Sequence, residues 1–150
     1  MLMHATCVAI GRCGVLLLGP PGAGKSDLAL RLIDQPGSGI SGELKLATLV
    51  ADDQVVVTRQ GDALVARAPA PLAGKLEIRG LGIAPAKFAE SAKLALAVRL
   101  APSSTIERLP AIDMQRFSCC GLSLPEIALD PMMASAPARL RAAVDWLAKG

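Results

Sequence analysis

Aromatic side chains are nearly missing from this chain: it has Phe88, Phe117, Trp146 and no tyrosine. That argues against base-stacking platforms for single-stranded nucleic acid, and it leaves the core to Leu, Ile, Val and Ala. Histidine is reduced to His4. Cys7, Cys13, Cys119 and Cys120 contain no C-x-x-C pair and no neighbouring histidine, which argues against zinc. These cysteines read as reduced thiols packing as small apolar groups. Runs of like charge are absent too. The 16 Lys and Arg and 13 Asp and Glu are scattered, for a net charge of +3, so neither a nucleic-acid arm nor a polybasic membrane tail is expected. No apolar stretch reaches the length of a membrane span. Met1–Leu18 is apolar but lacks a basic start and is interrupted by Arg12, unlike a signal peptide. The expected location is cytoplasmic.

What is present is a chain of 150 residues, 52% apolar and 19% charged, which suits one domain over 1–150 with a real core. Its most informative stretch is Gly19-Pro20-Pro21-Gly22-Ala23-Gly24-Lys25-Ser26, which fits G-x-x-x-x-G-K-[ST] at every fixed position. The apolar run Val15–Leu18 leads in, and Asp27–Ile33 leads away with helical periodicity. Glycines let such a loop wrap a polyphosphate with its amides pointing inward, at the positive end of the following helix. In this setting Lys25 reaches the β- and γ-phosphates of ATP, Ser26 offers its hydroxyl to Mg²⁺, and Asp27 follows on the first turn.

Turn signals and apolar patterning predict strands at about Ala5–Ile10 and Val15–Leu18, then a short helix over Ser26–Asp34 ended by Pro36-Gly37-Ser38-Gly39. Strands follow at Leu46–Ala51, Gln54–Arg59, Ala63–Arg67, Leu94–Leu100 and Leu122–Leu129, the last carrying Pro125 as a sign of an edge or an irregularity. A helix over Ala136–Ala148 closes the chain, with Leu140, Ala143, Val144 and Leu147 on one face. The expected fold class is α/β, a phosphate-loop domain with a strand-rich mixed sheet and few helices.

The second constellation is Leu49-Val50-Ala51-Asp52-Asp53, an apolar strand ending in two carboxylates, where Mg²⁺ or its waters are usually anchored beside a phosphate loop. Adjacent residues at a strand end point to opposite sides, so one carboxylate can serve the metal while the other faces an acceptor. A solvated Asp-Asp turn is the plainer alternative. Glu77 is a further candidate metal ligand on Glu77–Ile83. Taken alone, that segment reads as a glycine-rich surface turn, His4 as a terminal histidine, and Arg108 as a surface charge.

Together these residues resemble the catalytic domain of bacterial HPr kinase/phosphorylase. His4, Gly14–Leu17, Gly19–Ser26, Leu49–Asp53 and Glu77–Ile83 follow that family's motifs in order and nearly in spacing. Glu107-Arg108-Leu109 and Leu124–Ile127 are similar to later segments, so the resemblance covers roughly residues 4–130. It implies a Mg-ATP-dependent serine kinase acting on HPr or a related phosphocarrier of the phosphotransferase system. It also implies a homo-oligomer, a hexamer in the family. Lys25 would bind phosphates, Ser26, Glu77 and Asp52 would serve Mg²⁺, and Asp53 would take the serine proton. Asp52 and His4 would support that base, and Arg108 would stabilise the transferring phosphoryl.

Three departures are visible. The resemblance begins almost at the first residue, with His4, so no N-terminal regulatory domain is expected. The loop reads Gly19-Pro20-Pro21-Gly22 where the family carries polar residues, and Asp27 stands where it has Glu. The stretch Leu129–Ser135 lacks the basic, glycine-containing loop tied to phosphorolysis, so weak or lost phosphorylase activity is expected. A small-molecule kinase and a non-catalytic ATP- or phosphate-sensing module remain as alternatives.

Overall fold

Val15, Leu16, Leu17, Leu96, Ala97 and Val98 are completely buried, as expected of strands covered on both faces. The computed structural model, which describes residues 1–148, places them side by side and parallel at the centre of a sheet. Lys149 and Gly150, the end of the expected domain, lie outside the described residues. In chain order the elements are β1 (Leu2–His4), β2 (Thr6–Ile10), β3 (Cys13–Leu18), α1 (Lys25–Asp34), β4 (Ala47–Ala51), β5 (Gln54–Gln60), β6 (Ala63–Arg67), β7 (Lys75–Ile78), β8 (Gly82–Pro85), β9 (Ala92–Leu100), β10 (Arg116–Cys119), β11 (Leu122–Leu129) and α2 (Ala136–Leu147).

The main sheet runs β1-β5-β6-β9-β3-β2-β4, with β11 also paired to β9 and β10 to β11. Strand β9 lies parallel to β3 and β11 and antiparallel to β6, so the sheet is mixed, as anticipated. Its free edge is divided: Ala92 and Lys93 pair with β6, whereas Ala97–Leu100 pair with β11. Strand β11 changes partner at Pro125. Residues before it pair with β10 and those after it with β9, which is the irregularity a proline without a ladder donor requires.

Alternation then divides the core. Val8, Ile10, Val15, Leu17, Leu96 and Val98 face α1 and α2, meeting Leu28, Leu32 and Leu140. Cys7, Leu16 and Ala97 point the other way, where Val55, Val57, Leu64 and Ala66 of β5 and β6 cover them. The second layer is thus the sheet itself, curled back. Burial within it pushes the Cys7 thiol up to about 12, a packing group and not a nucleophile.

Helix α2 buries the expected Leu140, Ala143 and Val144, and also Arg141, which is 2% exposed. The loop before β4 is held to α2 by Lys45 and Asp145, 2.5 Å apart. Asp145 Oδ2 also accepts from the amides of Ile40 and Ser41, at 3.0 and 3.2 Å. Gly39 fits here because its φ is +63° and a Cβ would stand 2.6 Å from Asp145 Oδ2. The Lys45 bond, followed by the amides, holds the Asp145 carboxyl below its ordinary range. A depressed folded-state value gives stability that is present above the ordinary carboxylate range and lost as pH falls through it and below. Urea midpoints should therefore fall with acidification more steeply in the native chain than in Asp145→Asn, the two converging in acid.

Candidate active site

The phosphate loop leaves β3 at Leu18 and turns with the Ala23 amide donating to the Pro20 carbonyl at 3.0 Å. Gly24, at φ +100°, ends the loop with its Cα facing Pro131; a Cβ there would sit 3.4 Å from the Pro131 ring. No side chain caps the start of α1, so its first amides and its positive end are directed at the loop, an arrangement suited to an anion. Lys25 Nζ spans the loop mouth, donating to the carbonyls of Gly19 at 2.5 Å and Pro20 at 3.1 Å. Asp27 is exposed and pairs with Arg31 at 3.1 Å. Arg31 also donates to the Pro131 carbonyl.

That second contact holds Pro131 beside Gly24 of the loop, and Asp130 precedes it. The Asp130 carboxylate accepts from Ser103 Oγ at 2.6 Å and from the amides of Ser103 and Met132, both at 2.9 Å. These bonds, the Ser103 hydroxyl first, hold its carboxyl below the usual range.

The paired carboxylates lie just past the end of β4, Asp52 buried and Asp53 exposed. Asp52, 5% exposed, accepts at Oδ1 from Ser26 Oγ (2.7 Å) and Thr6 Oγ1 (2.9 Å), and at Oδ2 from the Glu77 amide (3.0 Å). One carboxylate thus joins β2, the first turn of α1 and β7. Asp53 has φ +68°, and the Gln54 amide donates back to the Asp52 carbonyl at 2.8 Å. Such an i→i+2 bond around a residue of positive φ is a strained γ-turn.

The turn leaves Asp53 exposed on a cleft of about 680 Å³ lined also by Asp52, Lys75, Glu77 and Ile83. β7 and β8, the hairpin forming one wall, carry the Glu77–Ile83 segment that the sequence reading treated as a turn with glycines. A larger hollow of about 780 Å³ lies at the opposite end of β2 and β3, among Arg12, Arg67 and Lys93. The carboxylates and the loop, and not cavity size, mark the site.

Loop residues 19–27, Asp52, Asp53 and Glu77 are therefore assembled at one end of the sheet. His4 and Arg108 are not among the residues lining the cleft. His4 lies exposed on β1 opposite Gln54, and Arg108 lies exposed on the connection from β9 to β10. Thr6, Arg31 and Arg141 escaped the sequence reading. Thr6 had one signal, a lone hydroxyl opening an apolar strand.

Removing the Asp52 carboxylate in Asp52→Ala deprives the Thr6 hydroxyl and the Glu77 amide of their partner and frees Ser26. We expect a loss of about 2–3 kcal/mol, read as a melting temperature lower by about 5–10 °C.

The family model of the HPr Serine kinase C-terminal domain matches residues 1–139. The HPr kinase/phosphorylases of Burkholderia lata and Burkholderia cenocepacia are each 37% identical over 137 residues, covering 85% of this chain and 39% of theirs. The chain thus spans about two-fifths of the length of these curated relatives. The solved structure of the Hpr(Ser) kinase/phosphatase from Coxiella burnetii shares the fold, with a TM-score of 0.78 over 97% of this chain and 94% of that one, at 23% identity. With its loop, its carboxylate pair and this match over nearly all its length, the chain belongs to the HPr serine kinase C-terminal domain family.

Proposed function

We propose that this domain transfers the γ-phosphoryl of ATP, with Mg²⁺, to a serine of HPr or a related phosphocarrier. The observation that carries the reading is the Asp52 carboxylate, bonded to Ser26 of the phosphate loop at 2.7 Å and adjoining Asp53 on the cleft. One side of this pair serves the phosphates and the other is open to an acceptor.

The donors suit magnesium. Ser26, Asp52 and Glu77 supply hard oxygens, and Mg²⁺ takes one or two carboxylates and completes its shell with phosphate and water. When bound, the ion would neutralise charge on the phosphates. Loop amides and Lys25 hold the polyphosphate, and Asp53 accepts the serine proton as its oxygen attacks. Positioned cationic groups provide much of the remaining acceleration around a loose transition state.

The cleft rim favours a protein acceptor over a small molecule. Ile83 lines the cleft, and Leu81, at the hairpin tip, is 82% exposed. Such a rim suits an apolar contact with a folded partner. Phosphorolysis is expected to be weak, because Leu129–Ser135 carries no basic residue to receive an incoming phosphate and its one charged side chain, Asp130, is acidic.

The test is incubation with γ-labelled ATP, Mg²⁺ and HPr-like phosphocarriers, followed by acid. Acid-stable label on a carrier supports the reading. ATP binding without label supports a sensor, and rapid phosphate-dependent release of pyrophosphate from the labelled carrier removes the phosphorylase part.

A further inference from the structure

A cluster of three sulfur atoms lies outside this site. Cys119 ends β10 and pairs with Leu122 across the hairpin, so Cys120-Gly121 is a two-residue turn, with φ +54° and +81°. Both values are positive, as a type I′ turn requires, and its first position favours Asn, Asp or Gly. Cysteine occupies that position here, and its Sγ stands 3.4 Å from Cys119 Sγ. On the other side, Met1 Sδ is 3.5 Å from Cys119 Sγ. Met1 is fixed by its backbone nitrogen, which donates to the Val57 carbonyl at 2.8 Å. The turn is fixed by Arg59, whose guanidinium donates to the Cys120 carbonyl at 3.3 Å and the Gly61 carbonyl at 2.8 Å.

We propose that Cys119, Cys120 and Met1 form a binding site for a soft monovalent cation, with Cu(I) as the fitting ion. Two thiolates and a thioether are donors that select Cu(I). Zinc is disfavoured, because it asks for four ligands and the described residues hold no group of three or more His, Cys, Asp or Glu arranged for a metal. On binding, both thiols release their protons, two Cu–S bonds form to the thiolates, and the thioether lends a lone pair. The net charge of the bound unit is −1, and the Arg59 guanidinium at the turn offsets it. Copper has to displace these protons, and affinity should fall in acid.

The test is anaerobic titration of the reduced chain with Cu(I) held by bicinchoninate. One ion per chain, with a three-sulfur shell by X-ray absorption, is expected. Cys119→Ser should lose the ion, whereas Cys7→Ala/Cys13→Ala should keep it. Cys120→Asn guards against a folding artefact: asparagine suits the turn, so this variant should melt no lower than the native chain and yet lose copper. Copper retained by Cys120→Asn, a shell of two sulfurs, or no competition with the chelator would overturn the proposal.

Discussion

Asp53→Asn is expected to lower phosphoryl transfer to a serine acceptor by about 10²–10⁴-fold, the usual worth of a positioned base, with little change in nucleotide binding. Serine is a weak nucleophile at neutral pH, and Asn accepts no proton at the moment of attack. In the proposed reading the phosphate contacts belong to the loop and Lys25, and Asp52 holds Ser26 whatever residue follows it. The γ-turn adds a second readout. At φ +68° a β-carbon costs about 1 kcal/mol or more, which glycine avoids. Asp53→Gly should therefore be inactive and at least as stable as the native chain. Melting curves and single-turnover transfer on the same samples decide it. A Gly variant that is both inactive and clearly less stable would mean that Asp53 serves the fold.

Arg141→Ala should produce the largest loss of stability. Arg141 is among the largest fully buried side chains. Its guanidinium donates to the carbonyls of Lys45 (2.8 Å), Leu32 (3.0 Å) and Gln35 (2.7 Å). Two of these acceptors end α1, so the cation caps the negative end of the helix that the phosphate loop begins. Burial lowers its pKa, yet an arginine keeps its charge. Truncation leaves buried carbonyls without donors and opens a cavity. The expected cost is about 3–5 kcal/mol, a fall in melting temperature of about 10 °C or more. Arg141→Met restores volume but not donors, and should recover only part. Full recovery by methionine would show that the hydrogen bonds contribute little.

How far the sequence disclosed this molecule depended on whether a feature was local. The loop and its flanking strand and helix are contiguous, so motif and periodicity located them together. Strands β2, β4, β5, β6, β9 and β11 announced themselves by apolar runs between turn residues. The short strands β1, β7, β8 and β10 have too few residues for alternation to show; β1 and β10 pair with the longer β5 and β11, and β7 and β8 pair with each other. At the site, the placing of Asp52 and Asp53 just past the end of β4 followed from the apolar run before them. That Asp52 would bond Ser26 and Thr6 did not, because those partners lie 26 and 46 residues away in the chain. Arg141 shows the limit: on a helical wheel it is one more exposed charge, and only the approach of the loop before β4 and the end of α1 buries it.

The cap on α1 has a consequence for biosynthesis. The phosphate loop spans residues 19–26, but Gly24 rests on Pro131, β3 pairs with residues 94–99, and the far end of α1 is closed by Arg141. A nascent chain emerging from the ribosome holds the loop's sequence long before it holds the loop's supports. The loop's scaffold is therefore complete only once α2 has emerged and docked on α1.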